Sequence, residues 1–239
     1  MDLSDLFPEL KAGYVLGLTV LSFLAYRRTA YSDSLSSWLI KGHKPEHATV
    51  LLFLFRKAGG FFFFGLIPAL LFFPFFKLQP QLYVNIPLPG LIMFPVLLVA
   101  VLITMFLSAK KNTIRNRLPL MRIRGWSPLL ILTSITGWGI YLAAYEFLFR
   151  GLLLFSWVEA FGVLPAVIVN LVLYGAVHLQ NGRKEAMGSI IFGLILCLLS
   201  LQTGSFLMAF LLHLSLSVSA EMSAVFFNPD MRFILRRKE

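Results

Sequence analysis

Apolar residues in this chain come in blocks near 20 residues long rather than in alternation. Short clusters of Lys, Arg, Ser, Gly and Pro separate them. Seven such segments can be drawn, at about 12–26, 58–76, 88–108, 128–160, 163–179, 188–202 and 205–226. A run of that length matches the hydrocarbon thickness that a helix must cross, and the short alternating segments of a membrane barrel are missing from the pattern, so it predicts helices. Pro68 and Pro74 interrupt the second segment, which predicts a kink whose freed backbone groups neighbouring helices must satisfy. A break at "FGVLP", residues 161–165, makes the fourth and fifth segments an antiparallel hairpin, and "QTGS" turns the sixth into the seventh.

Composition turns these segments into spans. Hydrophobic residues make up 58% of the 239 residues and charged residues 13%, against roughly 25% charged in soluble domains. The expected fold class is therefore all-α, a polytopic transmembrane helix bundle of about seven spans with interfacial helices. Cys197 has no partner within the chain, which excludes an internal disulfide. The opening "MDLSDLFPELK" is acidic and lacks the basic start of a cleavable signal, so the first apolar segment is expected to remain as a span. No repeat and no nucleotide-binding motif is present.

Charge orients the bundle. Of 21 Lys and Arg residues, eighteen fall on alternate connections: Arg27, Arg28, Lys41, Lys44, Arg56 and Lys57; Lys110, Lys111, Arg115, Arg117, Arg122 and Arg124; Arg183 and Lys184; Arg232, Arg236, Arg237 and Lys238. The positive-inside rule then puts the N-terminus outside and the C-terminus in the cytoplasm. The net charge of +10 is explained by anionic lipid at that face, worth about 1 kcal/mol per basic residue, and needs no nucleic acid as partner. "SSWLIKGHKPEH" (36–47) and "LPLMRIRGW" (118–126) are expected to lie at the headgroups, anchored by Trp38 and Trp126. The chain divides into N-terminal transmembrane and interfacial helices (1–127), a transmembrane core (128–226) and a basic tail (227–239) of one membrane domain.

A few polar residues interrupt the core spans. A charge at mid-bilayer costs about 2.5–3.5 kcal/mol on insertion scales, so an intramembrane carboxylate reads as functional by default. Glu146 lies 16 residues before Gly162 and His178 lies 16 after it, which puts both about 24 Å from the turn if both helices are straight. From Gly204 the seventh segment descends through His213, Ser217 and Glu221, a four-residue stripe on one helix face. These groups can meet inside the bundle. A bland reading stands beside each: Glu146 and Arg150 as a structural i, i+4 pair, His178 as a helix-end histidine beside Gln180 and Asn181, His213 as a satisfied core imidazole, and Ser217 and Ser219 bonded back to their own helix. His43 and His47 flank Pro45 and read as a solvated loop. Glu185 reads as an interfacial ion pair beside Arg183 and Lys184. The run "FFFF" at 61–64 reads as lipid-facing or packing surface.

The constellation resembles the CPBP (Abi) family of intramembrane proteases, which includes type II CAAX prenyl endopeptidases and bacteriocin-processing or immunity proteins. Its motifs are EExxxR, FxxxH and HxxxN or HxxxD, in that order on separate helices. Here "YEFLFRG" supplies Tyr145, Glu146, Arg150 and Gly151, "YGAVH" supplies Tyr174 and His178, and "HLSLS" supplies His213 and Ser217; the likeness covers roughly 128–226. The resemblance implies hydrolysis of a peptide bond in a peptide or lipidated-protein substrate within a membrane cavity. His178 would assist the base, His213 would donate to the oxyanion, Arg150 would orient the acid and Ser217 would supply a hydrogen bond. Two positions depart from the pattern: Tyr145 replaces the first glutamate, and Ser217 replaces the closing Asn or Asp. Either Glu146 has taken the base role, or the chain keeps the cavity without efficient hydrolysis and binds a membrane partner or peptide. A third reading makes Glu146, His178 and His213 the relay of a small proton-coupled transporter. Glu146, His178 and His213 could also form an open Zn²⁺ site; Arg150 one turn from Glu146 disfavours a cation, so no cofactor is expected.

Overall fold

The computed structural model describes residues 7–76, 88–179 and 182–234. The described residues are all-α apart from one two-residue strand pair. In order, the elements are α1 (Pro8–Ala30), α2 (Asp33–Ile40), α3 (Pro45–Phe72), α4 (Leu88–Ser108), α5 (Asn112–Arg115), β1 (Gly125–Trp126), α6 (Pro128–Phe161), α7 (Val163–His178), α8 (Arg183–Thr203), α9 (Leu207–Phe227) and β2 (Arg232–Phe233). Each of the seven apolar segments contains a helix. Four of these, α3, α6, α8 and α9, are long and apolar enough to cross a membrane, and Ile92–Ser108 and Val163–His178 are shorter apolar helices. The chain is a multi-pass membrane protein. Large apolar side chains face outward around the bundle, among them Leu129, Leu164, Ile191 and Phe226 at 64–73% exposure, as lipid contact requires.

Local chemistry sets the helix ends. Pro8, Pro45 and Pro128 open α1, α3 and α6, where a missing N–H is harmless. Ser127 caps α6 by accepting from Leu130 N–H. Gly162, at φ 84°, makes the α6–α7 turn, and Gly204, at φ 63°, ends α8 in the left-handed conformation.

Several expectations change. The second segment, drawn from 58, is a helix from Pro45, so Arg56 and Lys57 belong to a helix rather than to a connection. Lys57 is buried, with its ammonium over the Trp138 ring. The anticipated kink takes the form of π-helical geometry over Phe62–Leu66, just before Pro68. Pro68 has no N–H to donate, and Ile67 donates to Phe62 instead, five residues back. Pro74 follows the end of the helix at Phe72. Trp126, expected as a headgroup anchor, is fully buried against Phe53, Met121 and Val225, because β2 pairs in parallel with β1 and folds the tail under α9. Trp38 on α2 is 73% exposed, as an anchor should be. His43 and His47 are exposed, and Glu185 pairs with Arg117. In the phenylalanine run, Phe61 and Phe62 are exposed while Phe64 is buried. Lys77, Gln180, Asn181, Arg236, Arg237 and Lys238 lie outside the described residues.

The core sits where α1, α3, α6 and α7 meet, around Tyr26, Phe64, Tyr145, Phe149 and Tyr174. Small residues let α3 and α6 approach: a side chain at Gly65 would place its Cβ 2.9 Å from that of Ala144. At the opposite end of α6, Lys11 pairs with Glu159 at 2.7 Å and Trp157 donates to the Ala12 carbonyl at 3.1 Å, docking α1 along it.

Candidate functional site

Glu146 ends the first α-helical stretch of α6, Pro128–Glu146, and regular α-helix resumes at Leu154. From Phe147 to Leu153 the helix takes π geometry, so Glu146 and Arg150 face each other across a widened turn. Such segments are rare and concentrate at functional sites. Here a neighbour supports it: Asn170 of α7, fully buried, donates from Nδ2 to the Phe149 carbonyl at 2.7 Å, the same carbonyl that accepts from Leu154 five residues on. The Cys197 thiol of α8 lies 3.5 Å from Asn170 Oδ1. The widened turn is thus held by two other helices.

The widened turn also changes the depth arithmetic, since more residues per turn shorten the climb from Gly162 to Glu146. Glu146 meets His213 of α9 rather than His178 directly. Its Oε1 accepts from His213 Nδ1 at 2.5 Å and from Arg150 Nη1 at 3.3 Å, and Arg150 Nη1 lies 3.0 Å from Oε2 as an ion pair. Both members of that pair are fully buried. Among the described residues Glu146 Oε2, Arg150 Nε and Nη2 and the Tyr145 hydroxyl have no hydrogen-bond partner. Buried polar atoms are nearly always matched. A cluster of unmatched ones at a single place marks a spot that suits water or a polar ligand.

Aromatic rings wall the site. His213 stands edge-on to Tyr145 (6.1 Å), Tyr174 (6.3 Å) and Phe192 (5.6 Å), and Arg150 lies over the Tyr174 face at 4.4 Å. Tyr145, where the motif has its first glutamate, is stacked on Phe149 at 4.5 Å. His178 is at the rim. Its ring touches Tyr174 (4.6 Å) and its Nδ1 bonds the Tyr174 carbonyl at 2.9 Å, with no bond to Glu146. Ser217, one turn beyond His213, is buried, and its hydroxyl makes no hydrogen bond among the described residues, whereas Ser219 does bond back to Leu216. Glu221, the third member of the stripe, belongs elsewhere: it accepts from Trp138 Nε1 and from Leu120 N–H, each at 3.2 Å. Among the described residues no three His, Cys, Asp or Glu side chains converge as a metal would require. With a guanidinium 3.0 Å from Glu146 Oε2, this arrangement does not fit a Zn²⁺ ion bound by Glu146, His178 and His213.

Residues 124–219 match the family model described as type II CAAX prenyl endopeptidase Rce1-like. That segment is Rce1-like. It begins at β1, takes in α6 to α8 and ends in α9 beyond Ser217, so every site residue named above except Glu221 lies inside it. The searches of curated proteins and of solved structures each found no match. Sequence reasoning missed two contributors within the Rce1-like segment, Asn170 and Trp138. Asn170 was legible as a lone amide in the apolar run 163–178. Trp138 was legible through spacing, since Trp138 and Glu146 are separated by eight residues, as are His213 and Glu221.

Proposed function

We propose that this protein is an intramembrane endopeptidase of CAAX-protease type, hydrolysing a peptide bond of a peptide or lipidated-protein substrate at the Glu146–His213 pair. The observation that carries the reading is the 2.5 Å contact between Glu146 Oε1 and His213 Nδ1, buried inside the Rce1-like segment. A carboxylate accepting from Nδ1 fixes the imidazole tautomer and leaves Nε2 as a proton acceptor. That inverts the roles implied by the motif resemblance: Glu146 orients and His213 Nε2 is the base. His213 takes a proton from water as its oxygen attacks the substrate carbonyl, then returns it to the leaving amine as the C–N bond breaks. Arg150 anchors Glu146 through their ion pair. The unmatched donors at Arg150 and Tyr145 are available to the oxyanion, where one aimed donor is worth about 2.7–4 kcal/mol. His178, with Nδ1 committed to the Tyr174 carbonyl, also presents Nε2 as an acceptor and assists proton movement. Ser217 contributes at most a hydrogen bond from one turn below His213.

The proposed setting is a cytoplasmic membrane of bacterial type, crossed seven times, with the N-terminus outside, the C-terminus cytoplasmic and anionic lipid against the basic face. A second reading, a non-catalytic relative that binds a peptide or membrane partner, is favoured by one observation: the aromatic Tyr145, packed against Phe149, stands where the motif carries a carboxylate.

The test is cleavage of prenylated and unprenylated peptide libraries by the full chain in liposomes. We expect His213→Ala to abolish turnover, and Glu146→Gln, which keeps the shape but spoils the tautomer, to reduce it up to about 10⁴-fold. Turnover untouched by either change would end the endopeptidase reading as drawn. Activity appearing only in Tyr145→Glu would establish the non-catalytic one.

A further inference from the structure

Three cationic side chains are buried among the described residues: Lys11, Lys57 and Arg150. Lys11 lies 2.7 Å from Glu159 and Arg150 lies 3.0 Å from Glu146. Lys57, only 6% exposed, has no carboxylate oxygen within ion-pair distance and no hydrogen-bond acceptor among the described residues. One side of its ammonium rests on aromatic rings, with the Trp138 centroid at 2.8 Å and the Tyr141 centroid at 4.5 Å. Rings can attract a cation, but among the described residues none of its N–H donors meets an oxygen or nitrogen acceptor.

Lys57 lines a cleft of about 90 Å³ with Thr49, Leu52, Phe53, Arg56 and Leu120. Arg56 spends one donor, Nε, on the Ala30 carbonyl at 3.3 Å and lays its guanidinium against Tyr31. The charges facing Lys57 are Arg56 and Glu221. Both Glu221 oxygens are engaged by Leu120 N–H at 3.2 Å, and one of them by Trp138 as well. Two cations therefore face one committed carboxylate. A single monoanion would balance the cleft.

Position says which anion. Helix α3 has 28 residues, about 42 Å at 1.5 Å each, against a hydrocarbon core near 30 Å. Its first two turns therefore project into the headgroups, next to exposed Trp38 and the basic residues Lys41 and Lys44. Thr49 is at that level and Lys57 about two turns further in. We propose that the Arg56–Lys57 cleft binds a phosphate oxyanion, supplied by the headgroup of an anionic phospholipid. This site is separate from Glu146 and His213 and stands whether or not the chain hydrolyses peptides.

The full chain, purified in detergent, would be exchanged with phosphatidylglycerol or phosphatidylcholine and examined by native mass spectrometry. In parallel, inorganic phosphate binding would be followed by phosphorus NMR without lipid. We expect one phosphatidylglycerol retained per chain and no phosphatidylcholine. Retention should fall at least about 10-fold in Lys57→Met and in Arg56→Gln, and fall less in Lys41→Gln/Lys44→Gln, which removes the same face's diffuse attraction for anionic lipid but leaves the cleft intact. Arg56 is only half-buried, so Arg56→Gln remains readable should Lys57→Met fail to fold. Inorganic phosphate binding lost in the same two variants, without lipid retention, would keep the oxyanion site and replace its source. Retention equal in all variants, or lost only in the Lys41/Lys44 control, would overturn the proposal.

Discussion

Glu146→Gln should destabilise this protein more than Arg150→Met, although the two side chains form one pair. Glutamine preserves the shape of Glu146 and removes its charge, leaving the Arg150 guanidinium fully buried with no other carboxylate within ion-pair distance among the described residues. Arginine cannot escape by losing its proton. Stranding one member of a buried pair costs about 3–5 kcal/mol. In Arg150→Met the carboxylate keeps its His213 Nδ1 partner at 2.5 Å, so the cost falls to the roughly 1–3 kcal/mol of a lost charge-assisted bond. The double variant removes both charges, and neutral replacement of a buried pair is often tolerated. It should be more stable than Glu146→Gln alone, with a coupling energy of about 2 kcal/mol or more. For a chain of this length each kcal/mol moves the midpoint roughly 2–4 °C. Glu146→Gln should then melt about 6–20 °C below the parent when unfolding in detergent is followed by tryptophan fluorescence. A Glu146→Gln midpoint within 2 °C of the parent, or a double variant equal to the sum of its parts, would refute the buried pair.

Two further changes probe the shell around that pair. Asn170→Leu removes the donor from the Phe149 carbonyl and should cost about 1–3 kcal/mol; because the widened turn loses its brace, turnover should drop while unfolding remains cooperative. Gly193→Ala puts a Cβ 2.9 Å from Tyr174 Cδ1 and 3.2 Å from Leu171, so Tyr174 must shift against Arg150, His178 and His213. A loss of about 1–3 kcal/mol is expected, compared with nearly none for Gly188→Ala, whose Cβ meets nothing within 4 Å.

Helix positions were legible wherever apolar length alone decides them, and failed where a charge was read as a boundary. The charges of Arg56 and Lys57 set the start of the second segment at 58, yet both lie within α3, because Trp138 on a different helix offers Lys57 an aromatic face. Nothing local to residues 45–57 signals that partner. The site was legible as a set of residue types: Glu146, Arg150 and His213 meet. The pairing was not, since the calculation that put Glu146 opposite His178 assumed an unbroken α-helix across 147–153. That segment is π-helical, and its support comes from Asn170 on the next helix. Local propensity could not reveal geometry held by a neighbour.

The register of α6 against α9 explains why this geometry is unique. Trp138 bonds Glu221 and Glu146 bonds His213, with the two positions eight residues apart on each helix and the order reversed, as in an antiparallel pair. Midway, by the same four-residue steps, come Leu142 and Ser217, both buried. Within a membrane there is little hydrophobic preference for one register over another, and interhelical hydrogen bonds of roughly 0.6–2 kcal/mol each carry the discrimination. Sliding α9 by one turn would break the Glu146–His213 and Trp138–Glu221 bonds together, leaving Glu146 with Arg150 alone and His213 without its carboxylate. The lower pair, far from any chemistry, therefore protects the upper one. On this reasoning Glu221 and Trp138 serve the site by setting where His213 stops, and Ser217 is buried because it occupies the rung between them.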